Sequence, residues 1–168
     1  MAFKRHGWAL PPYPRWDVTD FGLGDFQKYG LILVNLSEQR EYCEKVMYVS
    51  RRQMVPLHYY KSKEKDIICR WGKLAVELPS RKKNITLQVN GEPRSVTMGK
   101  PLILNSGDRV TLTPKVLHAF WAESDYAIVG EVATANDDRH DNFFHDSRVG
   151  RFGHIEEDEP AVVKLVSD

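Results

Sequence analysis

From Leu31 onward the chain is a succession of short apolar runs, and that pattern limits its fold more than any other feature. The runs are Leu31 to Leu36, Cys43 to Ser50, Val55 to Tyr60, Asp66 to Leu78, Ile85 to Val89, Pro101 to Leu104, Arg109 to Thr113, His118 to Trp121 and Tyr126 to Ala133. They are rich in Val, Ile, Leu and aromatics. Turn signals separate them at Asn90-Gly91, Met98-Gly99 and Ser106-Gly107-Asp108. No helix-period segment of useful length precedes the acidic run Glu156-Glu157-Asp158-Glu159, which reads as a solvated face. Many short strands at this spacing predict an all-β sandwich or barrel.

A chain of 168 residues is one domain by length and can bury a core without a disulfide or structural metal. The net charge of +1 gives no whole-molecule reason to expect nucleic acid or an anionic membrane as partner. No apolar run approaches the ~20 residues of a membrane helix, and no signal-peptide core opens the chain, so cytoplasm is the expected location. Cys43 and Cys69 sit in strand-like runs and read as buried thiols.

Residues 1–28 are rich in proline and aromatics, as in Trp8-Ala9-Leu10-Pro11-Pro12-Tyr13-Pro14-Arg15-Trp16. Proline removes ladder donors and breaks helices, so an extended arm laid across a barrel face or a partner subunit is expected. Asp17 to Gly24 reads as turns. Residues 29–135 then form the barrel core, and residues 136–168 a loop and C-terminal segment.

The chemistry concentrates in two strands. His58 and Tyr60 alternate onto one side of the run that ends in Leu57-His58-Tyr59-Tyr60. Much later comes Gly107-Asp108-Arg109-Val110-Thr111-Leu112-Thr113-Pro114-Lys115-Val116-Leu117-His118. An early His-x-aromatic strand followed by a late strand of this type resembles the two cupin motifs, which face one another inside a double-sheet jelly-roll barrel. The resemblance narrows further to the D-lyxose isomerase family. It is carried by Trp16 to Phe26, Lys63-x-Lys65-Asp66-Ile67-Ile68, His118-x-Phe120-Trp121-Ala122-Glu123 and Val129-Gly130-Glu131-Val132. Asn136-Asp137-Asp138-x-His140-Asp141-Asn142 and Ile155 to Ala161 extend it almost to the end of the chain.

The resemblance implies a cupin barrel that forms a homodimer, and interconversion of an aldose with its 2-ketose using a divalent metal, Mn²⁺. The family's metal ligands fall on His58, Tyr60, Lys65 and His118, so two imidazoles are kept while an imidazole and a carboxylate are replaced. Family lysines fall on Lys45 and Lys63, and a family acidic residue on Asp146. Losing a carboxylate removes anionic charge from a hard-cation site, and an ammonium in its place repels the ion. Tyr60 is a poor ligand near neutral pH because a phenol titrates near ~10. Glu64, one residue before the family carboxylate, would complete a three-ligand site with His58 and His118 if a bulge turned it inward.

A second reading needs no metal. Lys65 stands in roughly the ion's place, with Lys45 and Lys63 near it, to bind a polarised sugar oxygen or to act as base or nucleophile. The bland counterpart pairs these lysines with Glu131 or Asp146. Parity with His118 turns Phe120 inward, where its ring would stack on a sugar face. His140 is expected to organise its Asn/Asp-rich loop, and His6, His145 and His154 carry no signal. The candidate site is therefore Lys45, Lys63 and Asp146 for catalysis, Tyr60, Lys65, Phe120 and Glu131 for the pocket, and His58, His118 and Glu64 for a metal. The expected function is a sugar ketol-isomerase acting on a small aldose. The alternatives are a non-catalytic sugar-binding cupin, or a metal-independent isomerase or epimerase using lysine.

Overall fold

The computed structural model describes residues 2–80, 83–97, 99–137 and 140–149. The chain is all-β. It runs through β1 (Arg15–Thr19), β2 (Leu31–Glu38), β3 (Tyr42–Ser50), β4 (Val55–Tyr60), β5 (Lys65–Trp71), β6 (Lys73–Glu77), β7 (Asn84–Val89) and β8 (Glu92–Thr97). It continues through β9 (Leu102–Asn105), β10 (Arg109–Leu112), β11 (His118–Ala122), β12 (Tyr126–Thr134) and β13 (Asn142–Phe144). Two short helices, α1 (Ala2–Arg5) and α2 (Phe26–Tyr29), flank β1.

The strands form two facing sheets. The larger has eight strands in the order β1-β2-β3-β12-β5-β10-β7-β8, and the smaller five in the order β13-β4-β11-β6-β9. Neighbours in both are antiparallel. Successive stretches of chain cross between sheets, so residues far apart in sequence meet at the centre. Side chains of alternating parity fill the space between the sheets. Leu33, Met47, Ile67, Val76, Leu104, Val110, Phe120 and Val129 belong to this buried apolar core. Both cysteines are buried thiols. No helix among the described residues is long and apolar enough to cross a membrane.

The run Asp66 to Leu78 is two strands. The break is Gly72, whose φ of +86° lies in the left-handed region. A Cβ there would come within 2.5 Å of the Tyr126 carbonyl oxygen and closer still to Ser124 Oγ. At Asn90-Gly91, φ values of 57° and 82° close the two-residue hairpin between β7 and β8.

Three strands depart from the sequence expectation. β1 includes Asp17 to Thr19, where turns were expected; it pairs with β2 from Arg15↔Asn35 to Thr19↔Leu31 and forms one sheet edge. β8 forms the other edge, and Pro93 is tolerated there because an edge strand leaves half its donors unused. β13 lies in the segment expected to be loop, and it pairs Asn142, Phe143 and Phe144 with Tyr60, Tyr59 and His58. The N-terminal segment is not wholly extended. Phe3 of α1 is buried with Val34, Val46 and Ile128 on the outer face of the large sheet, where Trp8, Leu10 and Trp16 also pack. His6 stacks on Trp71 at 3.8 Å, and its Nε2 lies 2.6 Å from the Tyr126 hydroxyl. Met98, His154, the segment Ile155 to Ala161 and its acidic run lie outside the described residues.

Candidate active site in the barrel

The small sheet brings two histidines face to face. His58 of β4 lies opposite His118 of β11 in register, and the rings approach to 4.1 Å between centroids. Both are buried. The Nδ1 of His58 is 2.7 Å from the Pro56 carbonyl, and that of His118 is 2.9 Å from the Val116 carbonyl. A carbonyl can only accept, so each Nδ1 carries a proton, and on a neutral ring the lone pair is then on Nε2. His118 Nε2 is buried with no hydrogen-bond partner among the described residues. Burial, reinforced by His58 and by the Lys65 ammonium, holds the His118 pKa well below the ordinary imidazole value. The ring is therefore neutral at pH 7.

The large sheet supplies the charges. One row crosses it laterally: Asn35 of β2 faces Lys45 of β3, Lys45 faces Glu131 of β12, and Glu131 faces Ile67 of β5. Lys65, two residues before Ile67, shares its inward parity. Lys63 reaches in from the turn between β4 and β5, clamped by Asp141, whose carboxylate accepts from the backbone N–H of Ser62 at 2.8 Å and of Lys63 at 2.9 Å. Lys63 Nζ lies 3.1 Å from Glu131 Oε1, and Lys65 Nζ lies 3.2 Å from Glu131 Oε2. Each carboxylate oxygen thus faces one ammonium. Lys63 Nζ also donates to Asn136 Oδ1 at 2.8 Å. All four charged side chains, those of Lys45, Lys63, Lys65 and Glu131, are buried.

Burial alone would raise the Glu131 pKa. The ammoniums of Lys65, Lys63 and Lys45 outweigh it and hold the carboxyl well below the usual range. Burial lowers Lys65, Glu131 pulls it back up, and Lys63 and Lys45 push it down again; the balance is a lowered pKa. Tyr60 seats both cations, with Lys63 Nζ and Lys65 Nζ each 4.7 Å from its ring centroid. The same ring meets His58 edge-on at 5.6 Å.

Eight of the ten candidate residues are thus buried inside the barrel, and two are not. Glu64 is exposed: between the inward Lys63 and Lys65 no bulge intervenes, and strand alternation turns Glu64 out, with its backbone bonded to Thr134. The Asp146 carboxylate is engaged by Arg148 through its backbone N–H, Nε and Nη2, the last at 2.6 Å, which holds its pKa near 2. Asp146 was a candidate through the family resemblance alone, and its carboxylate is tied to Arg148 rather than to the buried lysines. Phe120 is inward but lies in the apolar core, opposite Val76 and Val55. His140 bonds Asp137 on the surface at 2.9 Å.

Sequence reasoning missed Asn35, Asn142 and the clamp by Asp141. Asn142 is opposite Tyr60 on β13, and its buried Oδ1 has no partner among the described residues. The only signal for it was the Asn/Asp-rich stretch itself. A surface cleft of about 410 Å³ adjoins this site, lined in part by Arg40, Ser62, Lys63, Thr134, Asp137 and Asp141. It shares Lys63 with the buried cluster and lies outside the histidine pair.

Residues 12–168 match the D-lyxose isomerase family. A D-lyxose/D-mannose isomerase of Escherichia coli O157:H7 is 37% identical over 91% of this chain and 75% of its own length. The chain belongs to the D-lyxose isomerase family. A D-lyxose ketol-isomerase of a Thermofilum species is 34% identical, covering 83% of this chain and 81% of its own. The L-ribose isomerase of Cellulomonas parahominis, solved with L-psicose, superposes with a TM-score of 0.66 over 88% of both chains at 14% identity, a likeness of fold.

Membership of this metal-dependent family raises the question of whether these residues suit a divalent ion. His118 Nε2, buried and unpartnered, is the kind of atom a metal ligand presents. The rest of the donor set is unsuitable. A phenol ring and an ammonium occupy two of the four family ligand positions, and Glu131, the buried carboxylate beside them, is already engaged by two ammoniums. Among the described residues, no three His, Cys, Asp or Glu side chains cluster as ligands. The residues do not fit the family's ion.

Proposed function

We propose that this chain interconverts a small neutral aldose and its 2-ketose inside the barrel, between the His58–His118 pair and the lysines around Glu131. The observation that carries the reading is that two buried polar atoms without partners among the described residues, His118 Nε2 and Asn142 Oδ1, are both acceptors. Leaving such atoms unpaired is costly, and a polyol carries a row of hydroxyl donors that would satisfy them. A sugar phosphate would instead bring further acceptors to the same atoms. Family membership supplies the reaction class, and the names of the relatives make D-lyxose and D-mannose the first substrates to try.

The chain's own groups suffice for a proton-transfer route. The neutral Nε2 of His118 takes the C2 proton of the open-chain aldose and returns it to C1. The hydroxyl proton moves from O2 to O1, and the enediol between them becomes the 2-ketose with no oxidant or co-reactant. In this route the Lys65 ammonium offsets the negative charge that gathers on the carbonyl oxygen. The family resemblance also supports a homodimer, and cytoplasm is the proposed location.

The test is incubation with D-lyxose or D-mannose in D₂O, following ketose by chromatography and deuterium at C1 and C2 by mass spectrometry. Ketose should form, with deuterium at C1 in the fraction of turnovers in which the His118 proton exchanges with solvent before it is returned, and His118→Ala should slow turnover by ~10²-fold or more. Sugar binding with neither turnover nor exchange would instead make this a non-catalytic sugar-binding cupin.

A further inference from the structure

The two departures from the family ligand set form one device. Tyr60 does not merely fail as a ligand. Its ring face carries the Lys65 ammonium at 4.7 Å and the Lys63 ammonium at the same distance. Glu131 fixes the other side of both cations, at 3.1 and 3.2 Å. Lys65 is thus held between an aromatic face and a carboxylate, 3% exposed, beside the two histidines. Exchanging a divalent ion and its carboxylate ligand for one ammonium also leaves the net charge of the pocket unchanged. A dication entering beside His58 and His118 would meet two ammoniums and a carboxylate already committed to them.

We infer that Lys65 is the resident cation of this barrel: its ammonium, seated on Tyr60 and tied to Glu131, supplies the positive charge for a sugar oxygen, and the chain takes no divalent ion at this site. The choice of ligand rests on the sugar reading above. The statement about the ion does not.

The experiment uses the full chain, purified without chelator. Elemental mass spectrometry gives its metal content, and thermal melting is followed with added Mn²⁺ and with EDTA, without sugar. Far less than one ion per chain and a melting temperature indifferent to both additions are expected. D-lyxose affinity is then measured for the wild type and for Lys65→Met, which keeps length and loses charge. A loss of ~10-fold or more is expected, in the range of a charged hydrogen bond. The double variant Tyr60→His/Lys65→Glu should take up Mn²⁺ and melt higher with it. A stoichiometric ion in the wild type whose removal lowers the melting temperature overturns the inference, as does a folded Lys65→Met with unchanged affinity. Should Lys65→Met not fold, wild-type metal content and the double variant decide. Absence of any sugar effect in the wild type would count against the substrate reading and leave the metal result standing.

Discussion

Glu131 is the residue on which the interior depends. It is 4% exposed and is the counter-charge to Lys63 and Lys65, with Lys45 directly across the strand pair. Removing one partner of a buried ion pair strands the other, and the cost is typically ~3–5 kcal/mol. Glu131→Gln keeps the shape and strands the cations, so a loss of about 3 kcal/mol or more in urea unfolding is expected. A variant as stable as wild type would mean the lysines are neutral or otherwise satisfied. At this scale much was legible: strand parity and the family motif gave His58, His118, Lys45, Lys63, Lys65 and Glu131. Glu64 failed because its inward turn needed a bulge that this hairpin lacks. Asp146 failed because a neighbouring Arg148, two residues on, captures it.

The elements that place these residues depend on a few turns. Gly72 lets the chain leave the large sheet at β5 and enter the small sheet at β6. Its left-handed φ and the crowding by Ser124 and Tyr126 penalise any side chain there. Gly72→Ala is expected to cost about 1–3 kcal/mol, read as a lower denaturation midpoint at constant m-value. A neutral result would show that the turn relaxes freely. The strong interior strands β2 to β7 and β9 to β12 were readable from apolar runs because they are buried on at least one face. β1, β8 and β13 were not. The first two are edges with polar or proline-bearing sequence, and the third is three residues long, too short for any period to appear.

At the scale of the whole molecule, a polar cluster inside an apolar barrel makes stability depend on pH. Folding holds His118 neutral, whereas the unfolded imidazole takes a proton below its ordinary 6.5, so acid favours the unfolded chain. Folding also holds Glu131 ionised below its ordinary 4.5, and that contribution is present above 4.5 and lost as pH falls through the folded value. Both signs agree. The melting temperature should fall from pH 7 to pH 5 and fall further below about 4.5. A melting temperature that rose over pH 7 to 5 would contradict the burial of neutral His118.

The sequence by itself determined the β architecture and most of the inward chemistry, because alternation along a strand is local and a turn residue acts on its own backbone. It also located the two positions where this chain departs from its family. What those departures do was decided only by tertiary structure. Whether Lys65 opposes an ion, pairs with Glu131 or stacks on Tyr60 depends on strands that meet only when two sheets close. The three-way contact of Tyr60, Lys65 and Glu131 joins β4, β5 and β12, and no local pattern encodes it.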